Sequence, residues 1–215
     1  MPNHVTTVLK ASKEVIKGLL IDGKVDFNSV LPSFEDGQGS GISGAVESLA
    51  ESCLPFDKEQ FMAEYKISTI LDSDVTKLDD KDFNSFIKML ENKRKHGYLH
   101  CMDFNRAVWG TKWNAYDCSV EIDQIKFDTA WNFPAPVVAK LSLIFPNEDV
   151  VISYADEDTG SNCGMVTYRN GVVVSQDIAP KWDKQTIEEK KEWVKFAFDV
   201  KGYDDSVEDY FKELE

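Results

Sequence analysis

The stretch Trp109-Gly110-Thr111-Lys112-Trp113-Asn114-Ala115-Tyr116-Asp117 constrains this chain most. It crowds three large aromatics against a glycine and several polar side chains. Exposed tryptophan is costly, so a stretch of this kind has a packing or binding role. It opens a β-rich half that reaches Ile178. Within that half, Asn170-Gly171 separates the apolar runs Asn162 to Arg169 and Val172 to Gln176, which is the strongest short-range hairpin signal.

Periodicity extends this to the rest of the chain. Asn3 to Lys10 predicts a first strand, with Val5, Val8 and Leu9 apolar and threonines between them. Ser12 is placed to cap a helix carrying Val15, Ile16, Leu19 and Leu20, which Asp22-Gly23 stops. Lys24 to Leu31 predicts a second strand closed by Pro32. The Gly/Ser-rich segment Glu35 to Gly44 leads into a helical block. One short helix carries Val46, Leu49 and Cys53; another is capped by Asp57 and carries Phe61, Met62 and Tyr65. A third runs from Lys81 to Lys95 with Phe83, Phe86, Ile87 and Leu90 as its apolar face, ended by Gly97, and more helix follows within Tyr98 to Val108. Tyr116 to Trp131 has strand character broken near Asp123. Pro134 opens a helix that Pro146-Asn147 ends, and Val150 to Ala155 is a strand. Asp183 or Thr186 can cap a helix, with Glu189 at capping-box distance from Thr186, and Val207, Tyr210, Phe211 and Leu214 mark the last helix. The order predicts an α+β fold: a ferredoxin-like antiparallel sheet with helices on one face. Its core would be residues 1–34 and 109–180, with a helical insertion at 35–108 and C-terminal helices at 183–215.

With 215 residues, 42% of them apolar, the chain can bury a sizeable single core. Its formal charge of −14 disfavours direct nucleic-acid binding, which needs a basic footprint. The acidity fits solubility, or a decoy surface offered to a nucleic-acid-binding protein. No run approaches the length of a membrane span, and Met1-Pro2-Asn3-His4-Val5 does not read as a secretory signal, so a cytoplasmic location and no membrane partner are expected. Cys53, Cys101, Cys118 and Cys163 form no CxxC pair and are expected to be reduced.

At Trp109 to Asp117 the sequence resembles the YubB-type proteins of phages and conjugative plasmids. Met1-Pro2-Asn3-His4-Val5-Thr6 is similar to the family start. Phe127-Asp128-Thr129-Ala130-Trp131 with Pro134 and Pro136, then Tyr154-Ala155-Asp156-Glu157-Asp158, Gly160, Asn162 and Gly164, is similar to its C-terminal block. The segment from Glu35 to Lys95 matches loosely. The resemblance implies a ferredoxin-like domain and a mobile-element origin, and it supplies no catalytic residue.

Candidate ligand or partner residues follow from convergence. Asn3 and His4 begin the first strand, while Asn114, Tyr116 and Asp117 begin a later one, so one sheet end collects polar and aromatic groups. The alternative is a hydrogen-bonded network that is purely structural. Trp109, Trp113 and Trp131 read as core and hinge aromatics rather than a platform for bases, since Arg106 and Lys112 are the only basic neighbours. Asp156-Glu157-Asp158 with Asn162 puts hard oxygen ligands in one loop, and Tyr154 just before it is a further candidate. That loop lacks the acidic ladder of a calcium site and is expected to be a solvated turn. His96 and His100 share zinc-protease spacing, but Gly97 replaces the catalytic glutamate. Gly39-Ser40-Gly41-Ile42-Ser43-Gly44 matches GxGxxG outside its strand context. The acidic residues Glu208, Asp209, Glu213 and Glu215 read as a solvated helix face or a partner surface.

No cofactor, metal or catalytic constellation is expected. The predicted role is a non-enzymatic interaction or regulatory factor acting on a host protein. The alternative is a small enzyme or ligand-binding protein using a polar pocket of His4, Asn114, Tyr116, Asp117 and Asp156. Nothing in the sequence assigns an oligomeric state.

Overall fold

The computed structural model describes residues 3–35, 42–54, 74–204 and 206–213. Gly39 to Gly41 of the glycine motif, the helix expected around Asp57 with Phe61, Met62 and Tyr65, and the terminal Leu214 and Glu215 lie outside the described residues. The chain divides into two compact units, residues 1–32 with 105–215 and residues 33–104.

The first unit is built on β1 (His4–Lys10), which pairs antiparallel with both β5 (Gln124–Ala130) and β6 (Val150–Asp156). Val5, Thr7 and Leu9 of β1 are buried, the period of two that puts alternate side chains on one face. With β4 (Tyr116–Val120), β7 (Cys163–Arg169) and β8 (Val172–Ile178), the sheet runs β4-β5-β1-β6-β7-β8. If β4, β5 and β6 are counted as the second, third and fourth strands of the repeat, the order is 2-3-1-4. That is the ferredoxin-like order, and β7 and β8 extend it beyond the fourth strand. The break expected near Asp123 is the turn joining β4 to β5.

The second strand is not where the sequence placed it. Lys24 to Leu31 yields only the two-residue strand β3 (Lys24–Val25), paired with β2 (Leu20–Ile21), and then a 3₁₀ turn at Phe27–Ser29. The Asp26 carboxylate accepts from the Asn28 backbone N–H at 2.9 Å and from Asn114 Nδ2 at 2.8 Å. This local bonding outweighs the strand propensity of the segment. The helix α1 (Lys13–Gly18) forms but is shorter than expected, since Leu19 caps its end and Leu20 falls in β2; Ser12 caps its start by backbone position alone, without a side-chain hydrogen bond.

Val5, Leu9, Ile125, Phe127, Val150, Ile152 and Val166 form one face of the sheet's core, packed with Val15 and Ile16 of α1. Val137, Val138 and Leu141 of α5 (Ala135–Ile144) belong to the same core. These two helices are the ferredoxin-like pair and share that face. The opposite face carries Ala155 and Cys163, covered by Ala197 and Val200 of α6 (Ile187–Lys201). Both halves of the Thr186–Glu189 capping box are present at the start of α6. A last helix, α7, spans Val207–Glu213.

In the second unit, α2 (Gly44–Ser52) and α3 (Asp80–His96) bury Val46, Leu49, Ala50, Phe86 and Met89 together with Leu99. α4 follows at Cys101–Val108. The buried face of α3 differs from the expected one. It runs Phe86, Met89, Asn92, whereas Phe83 and Ile87 are 43% and 41% exposed. Asn92 Nδ2 donates to the Leu99 carbonyl at 3.2 Å, which fixes a polar residue in the stripe that apolar periodicity skips.

Candidate functional site

The end of the sheet where β1 begins collects most of the predicted polar residues. Asp156, the last residue of β6, is buried, and its carboxylate organises the group. Oδ1 accepts from Asn3 Nδ2 at 3.0 Å and from the Asp158 backbone N–H at 3.0 Å. Oδ2 accepts from Asn162 Nδ2 at 2.8 Å. Asn3 Nδ2 also lies 3.4 Å from Asp158 Oδ2. The register explains the convergence, because Val5 pairs with Asp156 on one side and with Thr129 on the other. The backbone is held tightly here: Trp131 and Asn162 both have positive φ, 69° and 44°. The N–H of Trp131 donates to the Asn3 carbonyl at 2.8 Å. Non-glycine residues in that region persist where surrounding bonds over-determine them.

Beside this group, Tyr116 Oη sits 2.6 Å from His4 Nδ1 and 3.2 Å from the Thr129 carbonyl. His4 Nε2 lies 3.6 Å from Glu157 Oε1, so a Glu157–His4–Tyr116 row crosses the sheet end. Burial, and then the charges of Asp128, Asp117 and Glu157, push the Tyr116 phenol up to about 12. A phenol that holds its proton so firmly is a hydrogen-bonding strut rather than a nucleophile. Burial likewise pushes the Cys163 thiol up to about 12 and raises Cys118, so these two hold their protons as well. Burial lowers Lys201, yet its ammonium is engaged with the Glu157 carbonyl at 3.3 Å and Thr159 Oγ1 at 3.2 Å.

Other predicted residues are placed elsewhere. Asn114 does not join His4; its Oδ1 accepts from the Phe27 N–H at 3.0 Å and its Nδ2 binds Asp26, so it fastens the 3₁₀ turn. Trp109 is core, edge-on to Phe27 at 5.5 Å, with Nε1 donating to the Leu31 carbonyl at 2.7 Å. Tyr154 is buried against Phe133 at 4.5 Å, facing the core. Asp117 is exposed, at φ 48°, beside the register shift between Tyr116 and Ser119. Asn114 is thus engaged by the 3₁₀ turn, whereas His4, Tyr116 and Asp156 lie at the sheet end. Lys112 Nζ lies 5.1 Å from the Trp113 ring and 5.6 Å from Trp131, and Arg106 is 5.9 Å from Trp131. The cations nearest these rings are thus the chain's own.

His96 and His100 do not converge. The His96 ring stacks on Phe34 at 4.1 Å, and Gly97 at φ 85° ends α3 between the two histidines. His100 instead meets Glu47 at 3.1 Å and Asp103 at 3.4 Å, a group with metal-like spacing. Its Nδ1 accepts from the Asp103 backbone N–H at 3.2 Å. In the neutral ring the proton is then on Nε2, the atom facing both carboxylates, so the group is suited to hydrogen bonding rather than to ligation. Glu47 is 53 positions from His100, and no local spacing marks the pair in the sequence.

A second feature was not read from the sequence: the bare edge of the sheet. β8 is the outermost strand, and all seven of its residues are exposed. Val172, Val173, Val174 and Ile178 are 60%, 44%, 52% and 42% exposed. Leu143 and Ile144 at the end of α5 are also exposed, and the chain at Gly171 approaches Leu143 and accepts support from Ser142 Oγ, 2.9 Å from the Gly171 N–H. The opposite edge, β4, is shorter, five residues against seven; each edge strand carries one aspartate and a register shift, and what sets β8 apart is its exposed aliphatic residues.

Residues 109–197 match the family described as the ferredoxin-like domain in Api92-like protein. The match begins at Trp109, where the aromatic stretch begins. A crystal structure of the protein Api92 from Yersinia pseudotuberculosis shares 10% identity, covers 84% of this chain and 99% of its own, and has a TM-score of 0.35. No curated protein matches the chain. The strand order and the family match agree that residues 109–197 belong to a ferredoxin-like domain similar to that of the Api92-like proteins.

Proposed function

We propose that this protein is a non-enzymatic interaction factor that receives an extended segment of a partner protein along β8. The observation that carries this reading is the bare edge: seven consecutive exposed residues, four of them aliphatic, with unpaired backbone groups on the outer side. Strand addition supplies main-chain hydrogen bonds, and the exposed aliphatic groups beside Leu143 give side-chain contact. The locked hydrogen bonds of the sheet end support a scaffold role there rather than turnover. The charge of −14 favours a basic partner and steers its approach. A host protein that itself binds nucleic acid fits that charge, the acidic surface standing in for phosphate. The resemblance to YubB-type proteins supports an accessory, regulatory role in a mobile element, exercised in the host cytoplasm.

The test compares wild type with the double variant Val172→Lys, Val174→Lys. Both positions are exposed, so the fold should survive within about 0.5 kcal/mol per substitution. A partner recovered from host lysate should slow hydrogen exchange at the β8 amides of the wild type. It should fail to bind the lysine variant. Retention of the same partner by the variant, or protection confined to another element, would discard this reading.

A further inference from the structure

The loop between β6 and β7 has a second role beside the sheet-end network. Glu157 and Asp158 line a cavity of about 820 Å³ with Trp182, Lys190, Tyr210 and Phe211. The volume lies in the range of small-ligand sites. Its walls are fixed by contacts that the network does not use. Gln185 Nε2 donates to the Gly160 carbonyl at 3.0 Å and to the Pro180 carbonyl at 2.7 Å, tying the loop to the segment before α6. Gly160, at φ 81°, lies so close that a Cβ there would be 2.9 Å from the Trp182 ring. Tyr210 Oη reaches the Thr159 carbonyl at 3.5 Å, which holds α7 against the same loop.

The chemistry of the lining is aromatic and acidic. Ring faces carry negative potential, and a desolvated cation over tryptophan gains the most from it. The chain's own Lys190 ammonium lies 4.7 Å from the Trp182 centroid, so an incoming ammonium would take the place of Lys190 over this ring. Asp156, Glu157 and Asp158 act electrostatically on the Lys201 ammonium, while Lys190 lines the cavity together with Glu157 and Asp158. Lys201 is committed to the loop itself, through the Glu157 carbonyl and Thr159 Oγ1. Among the lining residues the balance is negative by one charge, from Glu157 and Asp158 against Lys190.

We propose that this cavity binds an organic ammonium group, with the aromatic faces of Trp182, Tyr210 and Phe211 and the carboxylates of Glu157 and Asp158 replacing its water. A lysine or methylated lysine side chain and a free amine such as choline share this chemistry. The site is independent of β8.

The experiment is a titration of isotopically labelled full-length protein followed by amide and indole shifts at low salt. Choline should move the Trp182 indole and the amides of residues 157–161, saturating at roughly millimolar concentration. Its uncharged isostere, 3,3-dimethylbutan-1-ol, should bind about tenfold more weakly. Trp182→Leu and Asp158→Asn should each weaken choline about five- to tenfold. Trp182→Phe, which keeps a ring, should fall between, and guards against a folding defect in the leucine variant. Val172→Lys with Val174→Lys should leave choline binding unchanged, which separates this site from the docking edge. A peptide bearing trimethyl-lysine that binds more tightly than choline assigns the natural source to a protein; the reverse order assigns it to a free amine. The proposal is overturned if choline moves none of these resonances, if the uncharged isostere binds equally well, or if Trp182→Leu retains wild-type affinity.

Discussion

At the residue scale, one carboxylate does most to define the sheet end. Asp156 is buried and accepts from Asn3, Asn162 and the Asp158 N–H. Asp156→Ala leaves those donors without their acceptor, and bonds to a charged group carry more energy than neutral ones. A loss of about 2–3 kcal/mol is expected in urea unfolding, with Asp156→Asn recovering part of it because one acceptor oxygen remains. A loss below about 0.5 kcal/mol would mean that the network is ornamental. The tyrosines make a second prediction. Burial first, and then acidic neighbours at Tyr116 or Cys163 and Tyr168 at Tyr154, push both phenols from 10.0 up to about 12. The folded chain therefore keeps protons that the unfolded chain releases. This stabilisation is whole below pH 10 and fades as pH rises towards about 12. Thermal melts should hold up to about pH 10 and fall from there to about pH 11.5, and Tyr154→Phe should flatten that slope. The sequence placed His4, Tyr116 and Asp156 in one pocket, and Asp156, Asp158 and Asn162 in one loop, because strand starts and strand ends meet at one end of a sheet. It misplaced Asn114 because a side chain that bonds to backbone far along the chain, as Asn114 does to Phe27, leaves no periodic trace.

At the element scale, the hairpin shows how a short signal fixes a long register. Asn170 and Gly171 both have positive φ, 49° and 79°, the geometry whose twist matches the strands it joins. Gly171→Ala would meet Leu143 at 3.4 Å in a backbone region disfavoured for a side chain, at a cost of about 1–2 kcal/mol. Because Gly171 sits where β8 leaves the turn, the same variant should speed hydrogen exchange in β8 more than in β1. Equal exchange in both strands would mean that the turn does not hold the edge. The hairpin, the Thr186 capping box and α5 were legible because each rests on residues within one or two turns of chain. The short β3 and the true face of α3 were not. Each is decided by a partner distant in sequence or of the wrong polarity: Asn114 for the 3₁₀ turn, and the Leu99 carbonyl for Asn92. The exposure of β8 escaped for a related reason, since an apolar run such as Val172-Val173-Val174 reads as buried until the strand order shows it at an edge.

At the scale of the whole molecule, the ferredoxin-like order survives an excursion of the chain through residues 33–104. What permits this is visible where the chain departs and returns. The Leu31 carbonyl accepts from Trp109 Nε1 at 2.7 Å, and Phe27 meets the Trp109 ring at 5.5 Å. Both ends of the excursion are thus anchored in the same core, beside Phe127. The aromatic stretch earns its place in the sequence here, because Trp109 closes the loop that the insertion opens. A Gly/Ser linker can join Pro32 to Asn105, because Trp109 bonds both the Leu31 carbonyl and the Asn105 carbonyl, and the entropy of closing such a loop grows slowly with its length. A chain lacking residues 33–104 should keep a dispersed amide spectrum, the cross-strand contacts of β1 with β5 and β6, and one cooperative urea transition. Trp109→Ala in that shortened chain should cost about 3–5 kcal/mol, the price of an emptied aromatic site, and also release Leu31. If the shortened chain instead loses its dispersion while the full chain keeps it, the sheet depends on the excursion, and the two compact units are not separable in folding.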